Sequence, residues 1–467
     1  MEIPGTGRPP AGFVGTEMPT VAAIVADVRA GRRTPREVLD AFLARIERID
    51  EHIGAFQFVD AEAARREADL LAGRPDLADL PLAGVPVAIK DNVDVAGMPT
   101  RYGSAASSPQ PRGSDDLLVR RLREAGAVVV GKTRQPELAI WDFTESPAFG
   151  GTRNPYDPDR NAGGSTGGGA AAVAAGMVPV AHGSDGGGSL RIPAANCGVV
   201  GFKPSRGAVP LPGGLTEHWF GCSVHGAMAT TVADVALAVD VLAGTDRLRN
   251  PRPPSGPLRV AVSLRSPSPL GRPDATARSS VAIVAELARE CGHTVVKADP
   301  PYALTIVNDW VRRWHAGVAE EVRHLGLPAD QLERRTRTIL AKGKRLRRRG
   351  RPRPEEGASW LRRLEDWFAN VDVLVSPVIA RPAPPIGWGL RAGYVRAYLA
   401  GARRVPYTQA WNLAGYPALS LPVRLPALIT GRPGAAQLVA PAGNDSVVLG
   451  LAAQLEAAQL EAARVGG

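Results

Sequence analysis

The sequence has little cysteine, few aromatic residues and no long hydrophobic run. Its 467 residues include three cysteines, which excludes a small scaffold held together by disulfides. The apolar runs fall well short of the roughly 18 residues that a membrane-spanning helix needs. Residues 1–19 show no basic stretch followed by an apolar one, the pattern of a secretory signal. We therefore expect a cytoplasmic protein without a membrane segment.

The composition is that of a globular protein with a large core. Hydrophobic residues make up 44% of the chain and charged residues 22%. Glycine (52) and proline (42) are abundant, yet they stay below the level that indicates low-complexity disorder. The length is compatible with about three domains of ordinary size or with one large α/β body.

Positive charge is concentrated in one segment. Residues 334–353 contain eleven lysines and arginines and no acid, and without them the net charge of +10 would become −1. Such a run can bind nucleic acid or anionic lipid. No aromatic residue interleaves it, and no helix-turn-helix or zinc-finger spacing accompanies it elsewhere. We therefore interpret it as a solvated helix end and loop, and expect neither a nucleic-acid nor a membrane partner.

Helical and strand patterns alternate along the chain. The clearest helix start is Thr34-Pro35-Arg36-Glu37, a capping box with proline at the first helical position. The predicted helices cover residues 115–124, 170–175, 231–243, 275–290, much of 303–369, and 447–460. The predicted strands cover residues 85–89, 127–130, 177–180, 258–262, 294–296, 371–375, 418–421 and 436–439. This alternation predicts an α/β fold around one mixed sheet.

One motif is misleading. Residues 126–133 satisfy the phosphate-loop pattern G-x-x-x-x-G-K-[ST]. The middle residues Ala127 to Val130 prefer a strand, however, and a strand cannot curl its amides around a phosphate. The element before them is also a helix, whereas a phosphate loop follows a strand. We therefore do not expect nucleotide binding here.

Two serines lie in glycine-dense turns. Ser165 stands in Gly-Gly-Ser-Thr-Gly-Gly, and Ser189 ends Gly-Ser-Asp-Gly-Gly-Gly-Ser. Glycines allow the backbone to turn sharply and to present several N–H groups, which an oxyanion of acyl transfer needs. Such runs are commonly just flexible loops, but both of these adjoin apolar segments that are typical of ordered structure.

A serine nucleophile needs a base, and the residues alone leave two kinds of candidate. None of the seven histidines stands in a recognisable motif. Lys90 ends the apolar strand 85–89, where desolvation could lower its pKa and make it a neutral base. The alternative is an edge lysine whose side chain reaches water.

The stretch from Gly163 to Lys203, GGSTGGGAAAVAAGMVPVAHGSDGGGSLRIPAANCGVVGFK, closely resembles the amidase signature family. Residues 84–92, 131–137, 412–418 and 437–439 resemble other motifs of that family, so the similarity spans roughly residues 20–460. The resemblance implies a single domain over residues 1–467, with a mixed central sheet covered by helices on both sides. Within it we expect an N-terminal helical segment (1–75), a catalytic core (76–240), a helical region over the substrate (300–370) and C-terminal strands with a helix (371–467).

The resemblance also implies a Ser–cisSer–Lys triad. Ser189 matches the nucleophile, Ser165 the bridging serine after a cis peptide bond, and Lys90 the base. The implied oxyanion hole consists of the backbone N–H groups of Gly186, Gly187, Gly188 and Ser189. Asp185 and Thr166 would support the site, although the family usually has a serine where this chain has Thr166.

The implied function is hydrolysis of a small aliphatic or aryl amide to an acid and ammonia or an amine, through a serine acyl-enzyme. Two alternatives within the family are a glutaminase subunit of a tRNA-dependent amidotransferase and a biosynthetic acyl-transfer enzyme. We expect no cofactor and no metal, and a homodimer as a family-level feature. The substrate stays open, as does whether Trp141, Phe143, Trp219 and Phe220 line an acyl pocket or pack in the core.

Overall fold

A mixed β-sheet forms the centre of the molecule. The computed structural model describes residues 19–348, 350, 352, 358–424 and 432–465. In that part of the chain, eleven strands form one sheet, in the order β1-β3-β2-β8-β10-β9-β14-β15-β13-β11-β12. Residues 1–18, which carry most of the segment searched for a secretory signal, lie outside the described residues.

The strands are β1 (Phe56–Val59), β2 (Pro86–Lys90), β3 (Val128–Thr133), β4 (Glu145–Ser146), β5 (Gly150–Gly151), β6 (Arg153–Asn154), β7 (Asp157–Asn161), β8 (Val180–Asp185), β9 (Val200–Lys203), β10 (Val224–Ala229), β11 (Arg259–Val262), β12 (Thr294–Lys297), β13 (Val373–Pro377), β14 (Ala418–Val423) and β15 (Gly434–Val439). Strands β4 to β7 form two small hairpins outside the main sheet.

The helices are α1 (Val21–Arg29), α2 (Pro35–Ile53), α3 (Ala61–Ala72), α4 (Leu117–Glu124), α5 (Gly167–Ala174), α6 (Arg191–Cys197), α7 (Val232–Ala243), α8 (Ala275–Glu290), α9 (Ile306–His324), α10 (Arg334–Arg348), α11 (Ala358–Phe368), α12 (Trp388–Arg391), α13 (Tyr394–Arg404), α14 (Gln409–Ala414) and α15 (Asp445–Val465).

Strand direction divides the sheet into three parts. At one end β2 runs parallel to both β3 and β8, and the edge strand β1 pairs antiparallel with β3. At the other end β11 runs parallel to β12 and β13. The strands between these ends pair antiparallel. The strand–helix–strand pattern predicted over residues 258–296 is confirmed as β11, α8 and the parallel strand β12. Parallel neighbours need such a crossover because a hairpin cannot connect them.

Alternating side chains connect the sheet to two separate cores. On β13, Val373 and Val375 join one hydrophobic cluster with residues of α8 and α15, whereas Leu374 joins another with residues of α9 and α11. On β11, Val260 and Ala261 divide in the same way. Successive side chains of a strand point to opposite faces, so these clusters lie on the two sides of the sheet. The expected single domain, with helices on both sides of the sheet, is confirmed.

Most predicted elements form, with a few shifted boundaries. Thr34 caps α2 in the predicted capping box, which stabilises such a helix start by about 1 kcal/mol. The strand predicted at 177–180 was placed too early, because β8 begins at Val180 and continues to Asp185. Residues 128–133 form β3, so the lysine and threonine of the phosphate-loop pattern lie in a buried strand.

The basic run is partly described. Its arginines and lysines through position 348 lie on α10 and are mostly exposed, whereas Arg349, Arg351 and Arg353 lie outside the described residues. Arg335 departs from the expectation of a solvated run, because it is buried and pairs with Glu333 at 2.6 Å. Its guanidinium also lies 5.0 Å from the ring centre of Phe143. Across the described part of the chain, no helix is long and apolar enough to cross a membrane.

Candidate active site

Lys90 is the last residue of the central strand β2, and its side chain is completely buried. The apolar residues before it fix the strand between β3 and β8, so the lysine cannot reach water as the alternative interpretation required. Its Nζ lies 2.8 Å from Ser165 Oγ, 2.9 Å from Thr166 Oγ1 and 2.9 Å from Ser184 Oγ. The amine therefore sits among three hydroxyl groups.

Burial controls the charge of this lysine. Desolvation lowers the pKa of Lys90 to about 7, although the nearby carboxylates Asp185 and Glu321 favour its charged form. A substantial fraction is therefore neutral at neutral pH and can accept a proton. The Thr166 hydroxyl donates to the carbonyl of Ser184 at 3.2 Å. Its proton is thus engaged elsewhere, so the single lone pair of the neutral amine accepts from the hydroxyl of either Ser165 or Ser184.

Ser165 is buried two residues before the start of α5, and the Gly164–Ser165 peptide bond is cis. A Cβ at Gly164 would lie 2.7 Å from the carbonyl oxygen of Trp141 and from the backbone nitrogen of Phe143. Only glycine therefore fits where this segment passes the chain 141–143. The backbone N–H of Thr166 then donates to the carbonyl of Ser189 at 3.1 Å, which joins the two serine segments.

Ser189 follows the glycine turn at the end of β8 and is half-buried. The residue before it, Gly188, has φ +123°, and a Cβ there would lie 2.3 Å from Thr408 Oγ1. Glycine is thus required by both the backbone conformation and the close approach of Thr408. This turn places Ser189 on the wall of a cavity, next to Gly164 and Gly187.

Asp185 holds the glycine turn through hydrogen bonds to its backbone. Its Oδ1 accepts the N–H of Gly188 at 2.7 Å, and its Oδ2 accepts the N–H of Leu190 at 3.2 Å. Both carboxylate oxygens also accept from the fully buried Arg191 at 2.9 Å. Burial alone would raise the pKa of Asp185, but Arg191, Lys203 and the hydrogen bond from Asn412 together hold it below its usual value.

The bond to Asp185 corrects one part of the predicted oxyanion hole. The N–H of Gly188 already donates to the carboxylate in this structure, so it is not available to an oxyanion. The same turn leaves Gly186, Gly187 and Ser189 as the predicted donors, and their role stays a prediction.

The cavity beside Ser189 is aromatic and apolar. It encloses about 100 Å³. Its aromatic walls are Trp141, Trp219, Trp310, Trp314 and Tyr398. The charged residue among its lining side chains is Asp142, and Arg404 neutralises it with an ion pair of 2.7 Å.

Two of the four aromatic residues singled out in the sequence line this cavity. Trp141 and Trp219 do so, whereas Phe143 is buried behind Trp141 and Phe220 lines a different cleft. The surrounding structure holds Trp219 and Phe220 in strained backbone conformations, with φ values of +50° and +53°. Non-glycine residues in this region cost about 1–3 kcal/mol each and cluster at functional sites.

The sequence analysis missed Ser184, Trp310 and Thr408. Ser184 could have been found, because it precedes Asp185 in a strand that runs parallel to β2 and ends at the same edge as Lys90. Trp310 lies on α9 and Thr408 directly before α14, and neither stands in a recognisable motif. Only the tertiary fold brings them to the turn.

Two histidines lie close to the site but bind each other. His182 Nε2 and His225 Nδ1 are 2.9 Å apart, on the paired strands β8 and β10. Burial lowers the pKa of His182 to about 3 and that of His225 well below its usual value. Both therefore stay neutral and are weak bases. Within the described residues, no group of three or more His, Cys, Asp or Glu side chains converges as a metal site would require.

Comparisons with known proteins identify the family of this chain. The family model described as Amidase matches residues 37–449. The Mycobacterium tuberculosis protein named "Putative amidase AmiB2" is 42% identical over 456 residues, covering 94% of this chain and 95% of that protein. The structure of 6-aminohexanoate cyclic dimer hydrolase in complex with its substrate superposes with a TM-score of 0.82 at 30% identity, over 94% of this chain and 97% of that one.

A bacterial aryl acylamidase of the amidase signature family gives a TM-score of 0.78 at 25% identity, over 94% of this chain and 96% of that one. The family match, the relatives and the solved structures thus agree over nearly the whole length of the chain. The chain is an amidase of the amidase signature family.

Proposed function

We propose that this amidase hydrolyses amides of uncharged, apolar carboxylic acids, aliphatic or aryl, through an acyl-enzyme on Ser189. The observation that carries the proposal is the fully buried Lys90, whose Nζ lies 2.8 Å from Ser165 Oγ, in the segment next to Ser189. A base with a pKa of about 7 is matched to proton transfer at neutral pH.

The proposed reaction begins with attack of Ser189 Oγ on the amide carbonyl. As the O–C bond forms, the Ser189 proton passes to Ser165, whose own proton passes to neutral Lys90. The carbonyl oxygen becomes an oxyanion held by the N–H groups of Gly186, Gly187 and Ser189. The C–N bond then breaks, and the leaving amine takes a proton back through the same relay. Water attacks the ester by the same route and releases the acid.

The cavity supports the choice of acyl group. Its walls are largely aromatic, and the one charged side chain among its described lining residues, Asp142, is already paired with Arg404. A charged acyl group would lose its hydration there without gaining a partner. Two structural relatives are named for amides of the expected kind, a cyclic dimer of 6-aminohexanoate and an aryl acyl amide. Glutamine, the substrate of the glutaminase alternative, carries two charges and fits this cavity less well.

The first test labels the purified protein with a fluorophosphonate and locates the adduct by mass spectrometry. We expect a single adduct on Ser189, absent in Ser189→Ala. Ser268→Ala is the matched control, because Ser268 lines the same cavity and should not affect labelling. An adduct elsewhere, or labelling that survives Ser189→Ala, would contradict the assigned nucleophile.

The second test compares acyl groups. Hexanamide has four more methylenes than acetamide, each worth about 0.8 kcal/mol when buried, so kcat/KM should rise up to about 200-fold. The monoamide of adipic acid has a similar length but ends in a carboxylate, and should react at least tenfold more slowly than hexanamide. A preference for glutamine over hexanamide would instead favour the glutaminase alternative.

A further inference from the structure

Side chains from outside the glycine turn hold its carbonyl groups. Three successive carbonyl oxygens each accept a hydrogen bond from a different side chain: Asp185 O from Asn412 Nδ2 at 2.9 Å, Gly186 O from Trp310 Nε1 at 2.9 Å, and Gly187 O from Thr408 Oγ1 at 2.6 Å. Asn412 lies on α14, Thr408 directly before it, and Trp310 on α9. These three side chains therefore fix the carbonyl groups of the turn.

A held carbonyl determines where the following N–H points. In a trans peptide unit the C=O and N–H groups point in opposite directions. The bond from Trp310 to the carbonyl of Gly186 therefore orients the N–H of Gly187, away from the indole. Gly186 and Gly187 lack side chains, so their backbone would otherwise rotate easily. Donation to the carbonyl also polarises the peptide unit and strengthens its N–H as a donor.

The N–H groups of these peptide units differ in whether they already have a hydrogen-bond partner. The unit held by Thr408 directs the N–H of Gly188 to Asp185, where it is already bonded. The unit held by Trp310 carries the N–H of Gly187, one of the donors left for the oxyanion. Trp310 thus acts on a peptide unit that the reaction would use.

Trp310 also contacts the acyl cavity. Its indole stacks on Trp314 at 5.2 Å, and both rings line the cavity. It packs so closely on the turn that a Cβ at Gly187 would lie 2.5 Å from the indole. The same side chain therefore touches both the place of the acyl group and the turn next to Ser189.

We propose that Trp310 is a positioning residue for the oxyanion hole, whose indole N–H aims the N–H of Gly187 at the oxyanion. The proposal rests on the proposed acyl-enzyme mechanism. This role differs from that of a simple cavity wall. A wall residue affects substrate binding, whereas a residue that orients an oxyanion donor affects the stability of the transition state.

Trp314 provides the matched control. It lies one turn further along α9, lines the same cavity and stacks on Trp310. Its indole Nε1 is buried and has no hydrogen-bond partner among the described residues. Trp310→Phe and Trp314→Phe therefore remove similar aromatic surface, but only the first removes a donor to the turn. Replacing the Trp310 indole by benzothiophene, through incorporation of an unnatural amino acid, removes the N–H alone and nearly preserves the shape.

The experiment measures kcat and KM for hexanamide, and the inhibition constant of a trifluoromethyl ketone with the same acyl chain, whose serine adduct places an oxyanion in the hole. We expect Trp310→Phe and the benzothiophene variant to lower kcat about 10- to 100-fold, with KM changed less than threefold, because loss of a whole oxyanion donor typically costs about 10²–10³ in kcat. Inhibitor affinity should fall by the same factor. Trp314→Phe changes the wall of the acyl cavity, so it should raise KM and lower kcat/KM, with kcat itself changed less than threefold.

Two results would overturn the proposal. One is an equal loss of kcat in Trp310→Phe and Trp314→Phe, and the other is a benzothiophene variant with wild-type kcat and inhibitor affinity. Fluorophosphonate labelling of wild-type Ser189 distinguishes these outcomes from failure of the proposed mechanism. If the mechanism is wrong, the wild-type protein itself is not labelled at Ser189. The benzothiophene variant keeps the test decisive if Trp310→Phe does not fold.

Discussion

Replacing Lys90 with methionine should lower activity and, at the same time, change the pH dependence of stability in a calculable way. Lys90→Met removes the amine that lies 2.8 Å from Ser165 Oγ and keeps most of the side-chain volume. Loss of a general base typically lowers the rate about 10²–10⁴-fold. The expected stability change follows from the pKa of the buried amine.

The direction of the pH effect on stability depends on whether the folded or the unfolded chain binds the lysine proton more tightly. In the unfolded chain its pKa is 10.5, and burial lowers it to about 7 in the folded protein. Between these values the unfolded chain binds more protons, so wild-type stability increases with pH. Burial of this lysine therefore costs about 4 kcal/mol at pH 7 and about 1.4 kcal/mol at pH 9.5. Methionine carries no such penalty, so the stability of Lys90→Met relative to wild type should fall by about 3 kcal/mol over this range.

Comparing the stability of Lys90→Met relative to wild type at two pH values isolates the contribution of the lowered pKa. Methionine also leaves the hydroxyls of Ser165, Thr166 and Ser184 without the amine as a partner, which destabilises the variant. Serine and threonine hydroxyls do not titrate here, so this loss is the same at both pH values. Urea unfolding of both proteins at pH 7 and pH 9.5 measures the change. A relative stability that stays constant within about 0.5 kcal/mol would refute the lowered pKa, and with it the neutral base.

Three further predictions concern the same site. The kcat/KM of the wild type should rise about tenfold per pH unit below pH 7 and level off above it, because only neutral Lys90 accepts a proton; a flat profile from pH 5.5 to 8.5 would contradict this. Thr166→Val removes an acceptor for the Lys90 ammonium, so the midpoint of that profile should move to lower pH without loss of fold, as measured by circular dichroism. Asp185→Asn leaves the buried Arg191 without its carboxylate and should destabilise the protein by about 3–5 kcal/mol, whereas a urea midpoint equal to that of wild type would refute this pairing.

The site residues that could be predicted from the sequence are those that short stretches of neighbouring residues identify. Lys90 ends a short apolar strand, and Ser165 and Ser189 stand in glycine-rich turns, so each is visible within a few residues of sequence. The strand–helix–strand unit over residues 258–296 was visible for the same reason, because its hydrophobic periods are local. The resemblance to the amidase signature family then joined these segments into one site.

The part that sequence reasoning missed depends on contacts between distant segments. Trp310 reaches Gly186 across 124 positions of sequence, and Thr408 reaches Gly187 across 221. No periodicity or short motif records such contacts. The same holds for the oxyanion prediction at Gly188, because the bond of its N–H to Asp185 depends on how the turn closes. The misplaced start of β8 arose because residues 177–179 are buried but lie in the turn before the strand.

Burial explains why a lysine, and not one of the nearby histidines, is suited to the proposed role of base. The fully buried Lys90 and the equally enclosed His182 both lose basicity, because desolvation disfavours the charged form of each. The pKa of His182 starts near 6.5 and falls to about 3, where the imidazole can hardly accept a proton at neutral pH. The pKa of Lys90 starts at 10.5 and falls only to about 7, which is where a general base works best. In a site closed off this completely, only a group that is strongly basic in water keeps enough basicity to take the serine proton.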